Sequence, residues 1–300
     1  MKSKQFLKNL AKAALLFKIT ILLLCLTFGC SSSTTPTFLK EDIPNAIQDI
    51  CREEYKLDVV ATLVGETLWI YIPVEDMFLP SDKAEKYVEK FSVEESEGNL
   101  ADGLIKIDYK VNPIPDEEKS HEIKYNKDVQ KKTNDVWKAL RRVIFSLDRS
   151  KQNEPKFFCI ITADIKNGIE TKETFYYLDL KKVSYDFISW GEYYHRAISE
   201  TNISDEIIGD TQGKHLQYKD ITFREFLMEQ IKQRIKYKFQ KPEVEKNADI
   251  DKEIAKIVVN TLKIYGFKDF DVIELYNAQT KNRVILNKAA ALEAPIEQRF

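Results

Sequence analysis

Three observations predict an α+β fold, an antiparallel or mixed sheet built from helix–hairpin units with helices packed on it. The order helix, strand, strand recurs three times along the chain, twice with a tight turn between the strands and once with a loop, Asn277 to Asn282. Leu104 to Val111 alternates cleanly, with Ile105, Ile107, Tyr109 and Val111 against Lys106, Asp108 and Lys110. That is the period of a strand with one buried face. Asp128 to Leu147 instead repeats every 3.6 residues, placing Val129, Val136, Trp137, Leu140, Val143, Ile144 and Leu147 in one wide apolar stripe.

The first unit opens at Asp42-Ile43-Pro44, where a proline suits the first turn of a helix carrying Ile47, Ile50 and Cys51 inward. Leu57 to Val64 and Thr67 to Val74 are expected strands around Gly65-Glu66, a two-residue turn with glycine first that suits type II′. Leu68, Ile70, Ile72 and Val74 then share one face, and Trp69 and Tyr71 the other. Ser81 to Phe91 reads as a short charged helix with Ala84, Tyr87, Val88 and Phe91 inward. Ser92 to Gly103 is acidic and reads as a surface loop; Asn112 to Lys119 holds two prolines and reads as another.

In the second unit, the helix Asp128 to Leu147 precedes strands Lys156 to Ile165 and Glu170 to Leu180, joined at the hairpin dipeptide Asn167-Gly168. Val183 to Glu200 is expected to be helical, with a break at Trp190-Gly191, and Thr201 to Lys219 to be a polar loop. Thr222 with Glu225 forms a capping box for a helix that buries Phe223, Leu227, Ile231, Ile235 and Phe239 and ends at Pro242. The third unit is the helix Asp251 to Tyr265, closed by Gly266, with strands Phe270 to Tyr276 and Arg283 to Leu286. The expected domain organisation is a signal segment at 1–29, a lipidated cysteine and flexible tether at 30–43, and a main α+β domain at 44–242. A C-terminal helix–strand–strand unit at 243–300 packs on the same domain.

The N-terminus supplies an address. Lys2, Lys4, Lys8, Lys12 and Lys18 stand without an acidic residue before an apolar run that ends in Gly29-Cys30. Basic, apolar and small-residue regions in that order form a secretory signal peptide. A spanning helix needs about 20 apolar residues, and Ala13 to Phe28 is shorter and contains Lys18. The end of the segment resembles the lipobox of bacterial lipoproteins. Gly29 and Cys30 match its two most restrictive positions, whereas Thr27 and Phe28 depart from its usual Leu and small residue. The resemblance implies cleavage before Cys30, diacylation of its sulfur, further acylation of the new amino group, and lipid-anchored residence in the cell envelope. Ser31, where Asp would retain the protein at the inner membrane, implies the outer membrane in a Gram-negative cell. Ser31 to Thr35 resembles the usual polar tether.

The 300 residues are 43% hydrophobic and 11% aromatic, enough for a real core. Formal charge is −2, and removing residues 1–29 leaves 41 basic against 48 acidic residues, or −7. An acidic mature chain argues against nucleic acid as a partner. Cys51 and Cys159 would remain in an oxidising compartment; they form a candidate disulfide or two separately buried thiols.

No nucleophile elbow, zinc-protease helix, Cys-x-x-Cys pair, phosphate loop or Ca²⁺ loop is present, so no catalytic residue, metal ligand or cofactor is assigned. His121 and His215 fall in polar loops, where a solvated imidazole is the ordinary outcome. His195 sits among Tyr193, Tyr194 and Trp190 and as a general base would need a carboxylate such as Glu192 or Asp186. That aromatic group is either core or a glycan- or partner-binding surface. Arg224, Lys232, Arg234, Lys236, Lys238 and Lys241 gather on the outer face of the helix starting at Thr222, as a basic patch or a solvated face. The candidate binding surface is thus Trp190, Tyr193, Tyr194, His195, Arg234, Lys236 and Lys238. The first functional reading is a non-catalytic envelope lipoprotein, held in the membrane by acyl chains on Cys30, that binds a partner protein or supports an assembly. The second is an envelope hydrolase or glycan-acting enzyme using His195 or carboxylates not identified from sequence.

Overall fold

The computed structural model describes residues 38–147, 154–240 and 244–293; the expected signal segment, Cys30 and the expected tether as far as Thr37 lie outside the described residues. Helix α1 (Ile43–Tyr55) leads into β1 (Val60–Val64) and β2 (Thr67–Val74), then into a long ribbon of β3 (Phe78–Ala101) and β4 (Leu104–Tyr125). Next come α2 (Lys127–Phe145), β5 (Phe157–Asp164), β6 (Ile169–Tyr176), α3 (Tyr177–Ser184), α4 (Trp190–His195) and β7 (Ile198–Ile203). Helices α5 (Phe223–Gln240) and α6 (Ile250–Ile264), strands β8 (Val272–Asn277) and β9 (Arg283–Asn287) and a last turn, α7 (Lys288–Glu293), complete the body. This is an α+β architecture. No helix among the described residues is long and apolar enough to cross a membrane.

Two mixed sheets organise these elements. In the first, β1-β2-β5-β6-β7, every pair is antiparallel except β2 with β5, where Thr67 faces Phe157 and Val74 faces Asp164. The first two helix–hairpin units therefore share one sheet, joined side by side at a parallel pair. The second sheet, β3-β4-β8-β9, joins the third unit to the ribbon through a parallel pair of β4 with β8.

The cores follow the residue periods. Leu68, Ile70, Ile72 and Val74 point to α1 and α2, where they meet Ile47, Val136, Leu140 and Val143. Each fully buried side chain of this kind contributes roughly 1.5–3 kcal/mol relative to exposure. Trp69 and Tyr71 point the other way, with Cys159 and Ile161, and are covered by Leu216, Tyr218 and Ile221 of the segment after β7. The segment read as a polar loop, Thr201 to Lys219, thus starts inside β7 and covers the second sheet face with Leu216 and Tyr218. A separate core joins Phe91, Ile105, Ile107 and Tyr109 of the ribbon to Leu227, Ile231, Ile235, Ile257, Val258 and Ile273.

Three expectations are corrected. Residues 81–103 and 112–119 form neither a helix nor loops but the two arms of the ribbon, with Val93 opposite Val111 and Leu100 opposite Ile105. Their charges pair across the strands, Lys86 with Glu118, Lys119 with Glu89 and Lys110 with Glu94, which is how a solvated ribbon gains cross-strand support. Pro113 and Pro115 are tolerated because β8 pairs with β4 only from Leu104 to Tyr109, leaving the rest at an edge. The connecting Asp102-Gly103 has positive φ at both residues, 50° and 76°, as a type I′ turn requires. At Asn167-Gly168 the connection is instead four residues long, with Asp164 Oδ1 accepting from the backbone N–H of Lys166 and Asn167. The expected helix over 183–200 is divided: α3 ends at Ser184, α4 is short, and Ile198 already belongs to β7.

Candidate functional site

Ser189 caps α4 by accepting from the Glu192 N–H, and nine residues later the chain enters β7 at Ile198. A six-residue helix has too few internal hydrogen bonds to hold itself. Buried charges fix it instead. The Arg196 guanidinium donates to Asp179 Oδ1 on α3 at 2.8 Å and to Glu192 Oε1 at 2.7 Å. Burial weakens its charge, but Asp179 and Glu192 outweigh that and hold Arg196 above its ordinary pKa. Gln230 of α5 donates to the Arg196 carbonyl at 2.5 Å and accepts from Arg234 Nε at 3.3 Å. Gln233 donates to the Ala197 carbonyl and accepts from the Ser199 N–H.

This network relocates part of the sequence-derived surface. Arg234 is buried between α5 and α4, with its pKa lowered by burial, rather than lying on an outer basic face. Lys238 pairs with Glu253, Lys232 with Glu229 and Arg224 with Asp269, while Lys236 is exposed. Lys241 lies outside the described residues; the other five basic residues do not assemble into a free patch, because α5 has two buried sides, one against the ribbon and one against α4 and β7. His195 is exposed at the C-terminal end of α4. Glu192 is turned to Arg196, and among the described residues no carboxylate hydrogen-bonds His195.

The aromatic residues divide by exposure. Tyr193 is buried, stacked on Phe175 with centroids 5.4 Å apart and edge-on to Trp137 at 6.3 Å. Trp190 and Tyr194 stay 44% and 52% exposed. With Arg141, Lys131, Gln130 and Asn134 of α2 they wall a groove of about 450 Å³. The Arg141 guanidinium lies 5.4 Å from the Trp190 ring centre, a cation–π contact that keeps the indole at the rim. The groove offers flat aromatic area and positive charge, a combination suited to stacking and to acidic groups.

A second constellation was not legible in the sequence. His215 is held between two carboxylates, Nδ1 at 2.6 Å from Asp210 Oδ2 and Nε2 at 2.9 Å from Glu170 Oε2. Burial opposes its charge, but the two carboxylates prevail and raise its pKa. Asp210, despite burial, is brought down to about 2 by His215 and by the backbone N–H groups of Gln212 and His215. Tyr71 adds an edge-on ring contact and donates to the Asp210 carbonyl at 2.5 Å. Both imidazole nitrogens are used, so the group clamps the segment after β7 to the sheet and has no lone pair to offer a substrate or metal. The expected solvated imidazole is therefore a buried clamp, and Glu170, 45 residues away on β6, is the partner that no local spacing reveals.

Cys51 and Cys159 are separate buried thiols on opposite faces of the first sheet, so the candidate disulfide is not formed. Burial pushes them up to about 11 and about 12. Among the described residues no group of three or more His, Cys, Asp or Glu is placed to hold a metal ion. No protein-family model, curated protein or solved structure matches the chain.

Proposed function

We propose that this chain is a lipid-anchored cell-envelope protein whose body binds a partner protein in the groove between α2 and α4. The observation that carries the reading is the pairing of half-exposed Trp190 and Tyr194 with Arg141 on a rim fixed from behind by buried charges. Large aromatic residues held at a concave surface are the usual anchors of protein interfaces. The basic rim fits a partner segment that carries acidic as well as apolar side chains. Support for the anchor is the basic, apolar, Gly29-Cys30 order of the N-terminus, followed by the polar stretch from Ser31 to Thr35.

Two experiments test the parts separately. Cys30→Ser should convert a membrane-bound product into an uncleaved precursor; processing and fractionation like the parent would reject the anchor. Crosslinking of intact cells should recover one stoichiometric partner with the parent chain. Trp190→Ala with Tyr194→Ala should lose it, at a cost of roughly 2 kcal/mol or more for a true anchor residue. Undiminished recovery by that double variant would reject the groove.

A further inference from the structure

Phe38 marks where the tether joins the body. Its N–H donates to the Ser146 carbonyl at 3.3 Å, and its backbone bridges to Leu147. Immediately before them, Phe145 meets the ring of Tyr185 edge-on, with centroids 6.5 Å apart. The root of the tether and the end of α3 are therefore neighbours. Exposed apolar side chains flank this junction along the chain: Leu39 next to Phe38, Tyr185 with Leu178 seven residues before it on the same side of α3, and Phe187, which is 79% exposed.

The length of chain beyond the described body limits what can cover this cluster. Eight residue steps separate Cys30 from Phe38, and an extended chain spans at most about 3.3–3.6 Å per residue, or about 28 Å in all. A body tied to a bilayer by so short a lead keeps the root of that lead near the headgroups. Side chains around the root meet the lipid surface before any others do. Tyrosine and phenylalanine with aliphatic neighbours suit that zone, since a ring with one polar end rests between hydrocarbon and water.

We propose that Leu39, Leu178, Tyr185 and Phe187 form a face that seats the body on the headgroup layer of the bilayer holding Cys30; this rests on the anchored reading above. The lead brings the face to the membrane, and the face sets how the body stands on it.

The test uses the full acylated chain in vesicles of phosphatidylethanolamine and phosphatidylglycerol with brominated acyl chains, which quench nearby tryptophan. Phe187→Trp places a reporter on the face, and Ile285→Trp places one on β9, in the other sheet, at a comparably exposed site. The emission added by Phe187→Trp should shift to the blue and be quenched, while that added by Ile285→Trp should not. Mass analysis of the N-terminal peptide in the same preparation reads the acyl chains on Cys30. Acylated Cys30 with an unquenched Phe187→Trp overturns the face and leaves the anchor standing. An unacylated Cys30 overturns the anchor and removes the proposal with it.

Discussion

Replacing His215 by alanine should weaken the protein strongly at pH 6 and less at pH 8.5. In the native chain the imidazolium sits between Asp210 at 2.6 Å and Glu170 at 2.9 Å, and all three side chains are at most 10% exposed. Removing the ring leaves two buried carboxylates without their shared counter-charge. Breaking a buried ion pair by deleting one partner costs about 3–5 kcal/mol. Asp210 keeps the N–H of Gln212 and Glu170 keeps Asn202 Nδ2, so the lower part of that range, about 3 kcal/mol, is expected.

The sign with pH follows from which group is shifted in which direction. The folded pKa of His215 is raised above its ordinary 6.5. Its contribution is complete below that value and is lost as pH rises through the folded one. Asp210 is the opposite case. Held at about 2 against an ordinary 3.8, it contributes about 2 kcal/mol above pH 4 that disappears as pH falls towards 2. The clamp is therefore strongest between about pH 4 and 6.5. Urea unfolding at pH 5.5, 6.5, 7.5 and 8.5 should show the gap between parent and His215→Ala narrowing as pH rises. A gap that is constant across the series, or smaller than about 0.5 kcal/mol at pH 5.5, would refute the clamp.

Two further outcomes follow from buried groups. Asp179→Ala should cost about 3–5 kcal/mol, because Arg196 then keeps only Glu192 in a buried site. Asp179→Leu combined with Arg196→Met should recover much of that loss in thermal unfolding, and a double variant no more stable than Asp179→Ala would contradict the assignment. Cys51 and Cys159, buried and held at about 11 and about 12, should resist iodoacetamide at pH 8 in the folded chain and react fully in guanidinium. Peptide mapping that finds either one alkylated without denaturant would show that its burial is wrong.

What the sequence revealed was what short-range patterns control. The stripe from Val129 to Leu147 and the two faces of Thr67 to Val74 appear in the cores as expected, since helix and strand periods decide which side chains can be buried together. Residues 81–91 misled because Tyr87, Val88 and Phe91 recur at helical spacing, while the pairing that makes them a strand comes from residues beyond the turn. Asp102-Gly103 was the available signal, a dipeptide suited to a type I′ turn. Arg234 was misplaced for a different reason. One helical stripe predicts one buried side, and α5 has a second, formed by Gln230, Gln233 and Arg234 against α4 and β7. The His215 clamp depends on a strand residue and a loop residue meeting in space, a relation that no window of sequence contains.

Buried charge behind the groove serves placement more than stability. An apolar replacement for Asp179 and Arg196 would cost little in folding free energy, as burying two ions carries a desolvation penalty that their attraction largely offsets. It would, however, free α4. With six residues and a single Ser189 cap, this helix relies on Arg196 to tie its C-terminal end to α3 and on Gln230 to tie it to α5. Tyr193 fills the core beneath it, so the rotation of α4 is fixed by one buried ring and its position by one buried cation. Trp190 and Tyr194 lie one helical turn apart on the same side of α4 as Tyr193 and touch its ring, so burying Tyr193 holds both at the rim, where Arg141 meets the indole from α2. A groove assembled in this way has a rigid rim before any partner arrives, which lowers the ordering cost of binding. The Asp179→Leu, Arg196→Met chain should accordingly fold well yet recover the proposed partner less completely by crosslinking, a separation of stability from binding that simple loss of structure would not produce.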